Sequence, residues 1–272
     1  MSGALRVRAI GELARASLER SGGLASPLPG FEDSLYLLAD GEIVWIGARL
    51  PAMLPRAVVT SAPAPRGVPL RFAGVPARGW SKNPPALDQD AVARLRRAAA
   101  RLRESLSADE APRGFGSLLA GQSPGFPLEP AVPRVHALAS AYAGDDPDAV
   151  FDASLALLGL GTGLTPSGDD LAGAALFARR FVAPRDPRWP ALGERLAGAI
   201  ATRSHAVSAA LFADLAREQS FEPLHAMAEA LAAGDDTAAL AAAHALAAIG
   251  HSSGWDMLAG FFAGATGALS KA

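Results

Sequence analysis

Cysteine is absent from this chain of 272 residues. Its absence excludes disulfide bonds, thiolate metal ligands and a cysteine nucleophile. Lysine is almost absent as well, because only Lys82 and Lys271 occur, and a P-loop, which requires Gly-Lys-Ser/Thr, cannot lie between them. The net charge is −2, so the chain lacks the excess of basic residues that nucleic-acid-binding domains carry. We therefore expect no nucleic acid among the partners of this protein.

Long apolar runs without charge are missing too. The alanine-rich run of residues 237–249 is too short for a membrane span, and it contains His244. The first apolar stretch is interrupted by Arg6, Arg8 and Glu12, which leaves no apolar segment typical of a signal peptide. The sequence therefore predicts a soluble, cytoplasmic chain that does not bind a membrane.

Aromatic residues make up only 6% of the chain, although half of it is hydrophobic. Alanine dominates that half, and alanine is the best helix former, so the composition favours closely packed helices. The N-terminal third differs. A hairpin is predicted there, with strands at 34–38 and 43–47 around an Asp40-Gly41 turn. Short strands are also predicted at 57–60 and 70–72.

Helical patterns follow the proline-rich N-terminal region. They are predicted at about 88–106, 148–158, 168–181, 190–217, 221–233, 235–249 and 254–269. The predicted class is α+β, with a β-rich N-terminal part, residues 1–85, packed on a larger, mainly α-helical part, residues 86–272. The second part carries two glycine-rich helix starts.

The first helix start lies in Gly-Leu-Gly-Thr-Gly-Leu-Thr-Pro-Ser-Gly-Asp-Asp, residues 159–170. Its alternating glycines can adopt positive φ angles and can let the backbone come close to another group. Two caps are possible for the helix that follows. Thr165 is one candidate, with proline at the first helical position, and Ser167 is the other, with Asp170 completing a capping box.

The second helix start, Ser253-Gly254-Trp255-Asp256, repeats Ser167-Gly168-Asp169-Asp170 at an offset of 86 residues (253 − 167). The segment Gly-His-Ser-Ser-Gly, residues 250–254, also fits the G-x-S-x-G nucleophile elbow of α/β-hydrolases. That elbow requires a strand before its serine and a histidine after it. A helical pattern precedes residue 250 and no histidine follows Ser252, so we exclude the hydrolase.

Each helix start alone is compatible with simple capping, but the excess of glycine favours close approach by a ligand or by another backbone. Backbone N–H groups at helix N-termini attract anions. We expect Asp169 to face the ligand, because Asp170 matches the capping position. An anionic ligand then needs a bridging Mg²⁺, a nearby arginine, for which we choose Arg203, or an amide N–H turned towards the carboxylate.

No H-x-x-x-H or H-E-x-x-H pair exists, so a dedicated metal site is not predicted and Mg²⁺ stays only a possible cofactor. The candidate catalytic residues are Asp169, Asp256 and His251. The candidate substrate-binding residues are Gly161, Gly163, Thr165, Ser167, Gly168, Asp170, Ser252, Ser253, Gly254 and Arg203.

Together, the segments 159–170 and 250–256 resemble the AllH-type subunit family of oxamate carbamoyltransferase, formerly a domain of unknown function. The resemblance spans most of the chain, with a variable N-terminal third. It departs from the family at Thr162, where the family often has proline. It implies a transferase of the anaerobic branch of allantoin degradation that interconverts oxalurate plus phosphate with oxamate plus carbamoyl phosphate. It also implies an oligomer with FdrA-like and other subunits. The resemblance assigns no catalytic residue.

Three functions stay open at this point. The first is a ligand-binding, catalytic subunit of a carbamoyltransferase that acts on small anions such as carbamoyl phosphate and oxamate. The second is a non-catalytic assembly partner of an FdrA-like multi-subunit enzyme, in which the glycine loops pack against another subunit. The third is a Mg²⁺-dependent phosphotransfer enzyme that uses Asp169 and Asp256.

Overall fold

The computed structural model describes residues 4–32, 34–107 and 112–269. The chain forms two compact units. The first comprises Met1–Lys82 together with the short segment Gln219–Glu222, and the second comprises Asn83–Glu218 and Pro223–Ala272. Strands lie in the N-terminal region and helices dominate the rest, so the predicted α+β class is confirmed.

The first unit is a closed barrel of six strands around a small apolar core. The strands are β1 (Leu5–Ile10), β2 (Leu24–Pro27), β3 (Tyr36–Ala39), β4 (Glu42–Gly47), β5 (Ala57–Thr60) and β6 (Leu70–Ala73). Their order around the barrel is β1-β5-β4-β3-β2-β6. The β4–β5 and β1–β6 pairs are parallel and the other four are antiparallel. Helix α1 (Glu12–Arg20) contributes Ala14 and Leu18 to the core.

The predicted hairpin is confirmed as β3–β4. Tyr36 pairs with Trp45 and Ala39 with Glu42 across the antiparallel ladder. The two residues of the turn, Asp40 and Gly41, both have positive φ, at 47° and 80°. Positive φ at both positions is the geometry of a type I′ turn, which Asp-Gly favours.

The second unit consists of nine α-helices and two 3₁₀ helices within its described residues. The α-helices are α2 (Gln89–Ser107), α3 (Val132–Ala143), α4 (Pro147–Leu155), α5 (Ser167–Val182), α6 (Arg188–Ile200), α7 (Ala206–Ala216), α8 (Glu222–Ala233), α9 (Asp236–Ala247) and α10 (Ser253–Thr266). The 3₁₀ helices are Gly114–Ala120 and Glu129–Ala131. Helices α5 and α10 are buried almost from end to end, which is typical of central helices.

Helices α5 and α10 run parallel and touch through their backbones. A Cβ atom on Gly260 would lie 2.1 Å from the carbonyl oxygen of Leu171, and one on Gly264 would lie 1.9 Å from that of Ala175. Only glycine permits so close an approach. Because both contacts advance by four residues in the same direction, the N-termini of the two helices meet at one end of the pair.

One predicted helix is wrong. The pattern over 190–217 predicts a single helix, but the structure contains α6 and α7 with a break at residues 201–205. No proline or glycine marks this break in the sequence. Its cause is tertiary, because Ser204 in the break and Ser208 in α7 both donate hydrogen bonds to Asp169 of α5.

Candidate functional site

The two glycine-rich helix starts share one type of backbone hydrogen bond. The amide of Gly168 donates to the carbonyl of Leu160 at 2.8 Å, and the amide of Gly254 donates to that of Ile249 at 3.1 Å. In both cases a backbone carbonyl of the preceding turn accepts a hydrogen bond from an amide of the first helical turn. Such amides usually bond to a capping side chain. The capping predictions are therefore wrong, since the N-cap of α5 is Pro166 and no side chain caps the helix.

Gly168 and Gly254 are required by packing. A Cβ atom on Gly168 would lie 2.0 Å from the carbonyl oxygen of Leu157, and one on Gly254 would lie 1.8 Å from that of Leu246. At these two positions the group that comes close to the glycine is the chain's own backbone, and not a ligand. Their predicted role in substrate binding has no independent support.

Asp169 is held in place by three donors. Its Oδ1 accepts the amide of Gly159 at 2.7 Å, and its Oδ2 accepts the hydroxyls of Ser208, at 2.7 Å, and of Ser204. The residue is buried. The prediction that Asp170 completes the cap is wrong, because no side chain caps α5. The three hydrogen bonds of Asp169 fix the glycine loop and the α6–α7 break to α5, and its contact with a ligand stays a prediction.

Asp170 and Asp256 occupy equivalent positions in the first turns of α5 and α10. Both are buried, with exposed fractions of 5% and 0%. The amide of Phe115 donates to Oδ1 of Asp256 at 2.7 Å, but Oδ2 of Asp256 and Oδ2 of Asp170 have no hydrogen-bond partner among the described residues. Unpartnered buried carboxyl oxygens are costly, which makes this pair the most unusual feature of the site.

Burial raises the pKa values of both carboxyls. The pKa of Asp256 rises from 3.8 to about 7, chiefly because burial disfavours its charge, while the nearby hydroxyl of Ser167 and the amide of Phe115 offset part of the rise. The pKa of Asp170 rises well above its usual value, first through burial and then through repulsion by the charge of Asp256. The second effect shows that the two carboxyls are close enough to interact.

Hydroxyl groups connect the two helix starts around this acid pair, Asp170 and Asp256. Thr165 and Ser253 share a hydrogen bond of 2.9 Å, and Ser167 lies 3.5 Å from Ser252, oxygen to oxygen. The arrangement is reciprocal. Asp170 of α5 lies beside Ser253 of α10, while Asp256 of α10 lies beside Ser167 of α5. Thr165, Ser252 and Ser253 are partly exposed, so they reach from the acid pair to the surface.

The glycine loop forms an exposed rim next to these hydroxyls. Gly161 and Gly163 have φ angles of 118° and 95°, which other residues rarely adopt. A Cβ atom on Gly161 would lie 2.7 Å from the amide nitrogen of Ser167, whereas nothing lies within 4 Å of one on Gly163. Gly163 is therefore the exposed, open point of the loop, and its role in ligand binding stays a prediction.

Two of the remaining candidates, Arg203 and His251, are exposed beside the two helix starts. Arg203 contacts the loop through its backbone, since its carbonyl oxygen would lie 2.5 Å from a Cβ atom on Gly159, and its side chain is exposed. His251 is exposed too, and its carbonyl oxygen lies 3.4 Å from a guanidinium nitrogen of Arg113. Arg113 is the arginine that the structure places against the second helix start.

The segment of residues 113–116 belongs to the site and was missed in the sequence. A Cβ atom on Gly114, whose φ is 56°, would lie 2.3 Å from Oδ1 of Asp256. One on Gly116 would lie 2.7 Å from Cβ of Trp255. The sequence signal is the pair of glycines around Phe115, but its partner lies about 140 residues away, which local patterns cannot reveal.

Other features of the described residues point to no second centre of this kind. No group of three or more histidine, aspartate or glutamate side chains there is arranged to hold a metal ion. No helix in the same ranges is long and apolar enough to cross a membrane. Two surface clefts of about 480 and 490 Å³ lie in the helical unit, and their linings include none of the motif residues.

Comparisons with known proteins add one match. No curated protein and no solved structure matches the chain. A protein-family model does match, over residues 157–265, and its description is "Oxamate carbamoyltransferase subunit AllH". The matched segment begins just before the glycine loop and includes both helix starts. The resemblance to the AllH family that the two motifs carry is thus confirmed over residues 157–265.

Proposed function

We propose that this chain is the ligand-binding, catalytic subunit of a carbamoyltransferase, and that it binds a small anion with an amide end between the two helix starts. The observation that supports this most is the acid pair. Asp170 and Asp256 keep unpartnered carboxyl oxygens at the meeting point of two helix N-termini, beside hydroxyls that reach the surface. The family description supports the reaction class.

The two ends of such a ligand find different partners in this site. The N-termini of α5 and α10 carry partial positive charge from their aligned peptide dipoles, which attracts a carboxylate or phosphate. Arg113 adds a full positive charge at the rim of the second helix start. The acid pair and its hydroxyls supply donors and acceptors for the amide end. Carbamoyl phosphate and oxamate both combine an anionic end with an amide end.

The other two functions have less support. The Mg²⁺-dependent phosphotransfer function relied on Asp169 and Asp256, but the oxygens of Asp169 accept three hydrogen bonds within the chain. The assembly function relied on glycines that pack against another subunit, and Gly168 and Gly254 pack within the chain instead. The family description names a subunit, so association with other subunits is expected in any case. An FdrA-like partner stays a prediction.

A thermal-shift titration tests the proposed function. The full chain is titrated with phosphate, carbamoyl phosphate, oxamate and oxalurate, each with and without Mg²⁺. A ligand at one hundred times its dissociation constant stabilises the folded state by about 2.7 kcal/mol, so a raised midpoint is expected with carbamoyl phosphate or oxamate. The absence of any shift would favour the assembly function.

Two arginine variants, one at the site and one outside it, test where the ligand binds. Arg113→Ala removes the charge at the second helix start, and we expect it to weaken binding of the anion about tenfold, consistent with a lost charge-assisted hydrogen bond. Arg97→Ala removes an exposed arginine of α2, outside both helix starts, and should leave the shift unchanged. Equal loss in both variants would indicate a general charge effect and argue against this site.

A further inference from the structure

The acid pair and the hydroxyls around it contain the groups that a proton relay requires, namely buried carboxyls next to hydroxyls. Each carboxyl has one oxygen without a partner. Each lies beside a serine of the opposite helix, Asp170 beside Ser253 and Asp256 beside Ser167. Ser253 is partly exposed and shares a hydrogen bond with Thr165 of the glycine loop. A hydroxyl can accept and donate a proton at once, so such a chain connects a buried carboxyl with a ligand at the surface.

We propose that Asp170 and Asp256 act together as the proton store of this site and exchange a proton with the amide nitrogen of a bound ligand through the hydroxyls of Ser252 and Ser253. This inference rests on the proposed function, because it needs an amide ligand between the helix starts. It assigns positioning and proton-transfer roles that neither the family description nor the local sequence pattern provides.

In the direction of transfer, the amide nitrogen of oxamate attacks the carbonyl carbon of carbamoyl phosphate and forms a new C–N bond. The C–O bond to phosphate breaks, and its electron pair leaves with phosphate. The proton that nitrogen loses passes to a serine hydroxyl, which hands its own proton to the acid pair. The pair returns one proton to the released phosphate or to water, so it is regenerated.

The charged groups around the pair permit this role. Asp169, in the same turn of α5, accepts hydrogen bonds from three donors, and it raises the pKa of Asp170 further. Arg113 and His251 lie at the exposed side of the second helix start. Burial raises the pKa of Asp170 well above its usual value, while the pKa of Asp256, about 7, allows it to gain or lose a proton near neutral pH. A pKa near the working pH is what efficient proton transfer needs.

Carbon-13 NMR of the full chain with labelled aspartate carboxyls tests the inference. The signal of Asp256 is assigned by its loss in Asp256→Asn and that of Asp170 by its loss in Asp170→Asn. Asparagine has the shape of a protonated carboxyl, so both variants should fold. We expect the Asp256 signal to titrate near neutral pH, the Asp170 signal to titrate well above the usual range of an aspartate, and both to move when oxamate or carbamoyl phosphate is added. Asp152→Asn, which changes an exposed carboxyl of α4, should alter neither signal.

Two results would overturn the inference, and they differ from failure of the proposed function. Titration of both carboxyls below pH 5 would show that the pair is an ordinary pair of charged groups. A ligand that raises the melting midpoint but leaves both carboxyl signals in place would show binding without the relay. If no ligand changes the melting midpoint, the proposed function fails and the relay fails with it.

Discussion

Asp169 and Asp170 are neighbours in one helical turn, yet the fold gives them opposite environments. Both oxygens of Asp169 accept hydrogen bonds, while Asp170 keeps an oxygen without a partner. The sequence places two acidic residues at a glycine-rich helix start, and that much of the site was predictable. Which of the two is free depends on Ser204 and Ser208, which lie 35 and 39 residues further along the chain.

A substitution of Asp169 tests its structural role. Asp169→Asn replaces one acceptor oxygen with an N–H₂ group that faces donors, so a buried hydroxyl or amide loses its acceptor. We expect the free energy of unfolding to fall by about 2 kcal/mol, the usual cost of such a loss. Urea unfolding measures the change. Asp152→Asn, at an exposed position, should change stability by less than about 0.5 kcal/mol. An unchanged midpoint for Asp169→Asn would contradict the role.

The pH dependence of stability tests the burial of Asp256. In the unfolded chain its pKa is near 3.8, and in the folded protein it is raised to about 7. Between these values the folded state keeps a proton that the unfolded state releases, so this group makes stability fall as pH rises. The difference between these two pKa values corresponds to a change of about 4 kcal/mol in the free energy of unfolding.

Asp256→Asn removes this titration. The variant should therefore gain stability relative to the wild type as pH rises from about 4 to about 7, by up to about 4 kcal/mol. Urea unfolding at pH 5 and at pH 8 gives the comparison. A difference between variant and wild type that is the same at both pH values would show that Asp256 is charged in the folded protein at pH 5.

At the scale of elements, local signals decide what the sequence predicts. The β3–β4 hairpin was predicted because Asp40-Gly41 determines its own turn. The glycine contacts of α10 cannot be predicted from local patterns, because they depend on which helix packs against α10. The split of 190–217 into α6 and α7 was missed for the same reason. Local patterns do not predict β1 or β2, whose pairing closes a barrel between distant parts of the chain.

The parallel packing of α5 and α10 gives a matched pair of glycine substitutions. Gly264→Ala places a methyl group where the carbonyl of Ala175 lies, so the helices must separate. We expect a loss of about 3 kcal/mol or more in the free energy of unfolding, as for severe overpacking. Gly198→Ala in α6 meets nothing within 4 Å and should be neutral or stabilising by up to about 1 kcal/mol. Thermal and urea unfolding compare the two, and equal effects would contradict the close contact.

At the scale of the whole molecule, the chain leaves the helical unit briefly and returns. The segment Gln219–Glu222 belongs to the barrel unit. The amide of Glu222 donates to the carbonyl of Met53 at 2.8 Å, and the ring of Phe221 meets that of Trp45 edge to face at 6.1 Å between centroids. A short segment of the second half of the sequence thus completes the first unit, which no local pattern indicates.

Two phenylalanines test this assignment. Phe221 is only 7% exposed, so Phe221→Ala should destabilise the barrel unit by about 3 kcal/mol or more. Phe126 is 90% exposed, and Phe126→Ala should stay within about 0.5 kcal/mol of the wild type. Hydrogen exchange of peptides from residues 4–82 measures the change. Unaltered protection of these peptides in Phe221→Ala would contradict the place of the segment in the first unit.

The ring of six described strands has a consequence for how this protein meets other subunits. Each strand has a neighbour on both sides, so the barrel presents no row of unpaired backbone amides and carbonyls along a sheet edge. Free edges are where proteins add a foreign strand or aggregate. A partner therefore cannot extend this sheet by contributing a strand, and recognition of the barrel must use side chains and connecting loops. The same closure protects the N-terminal region from edge-to-edge association.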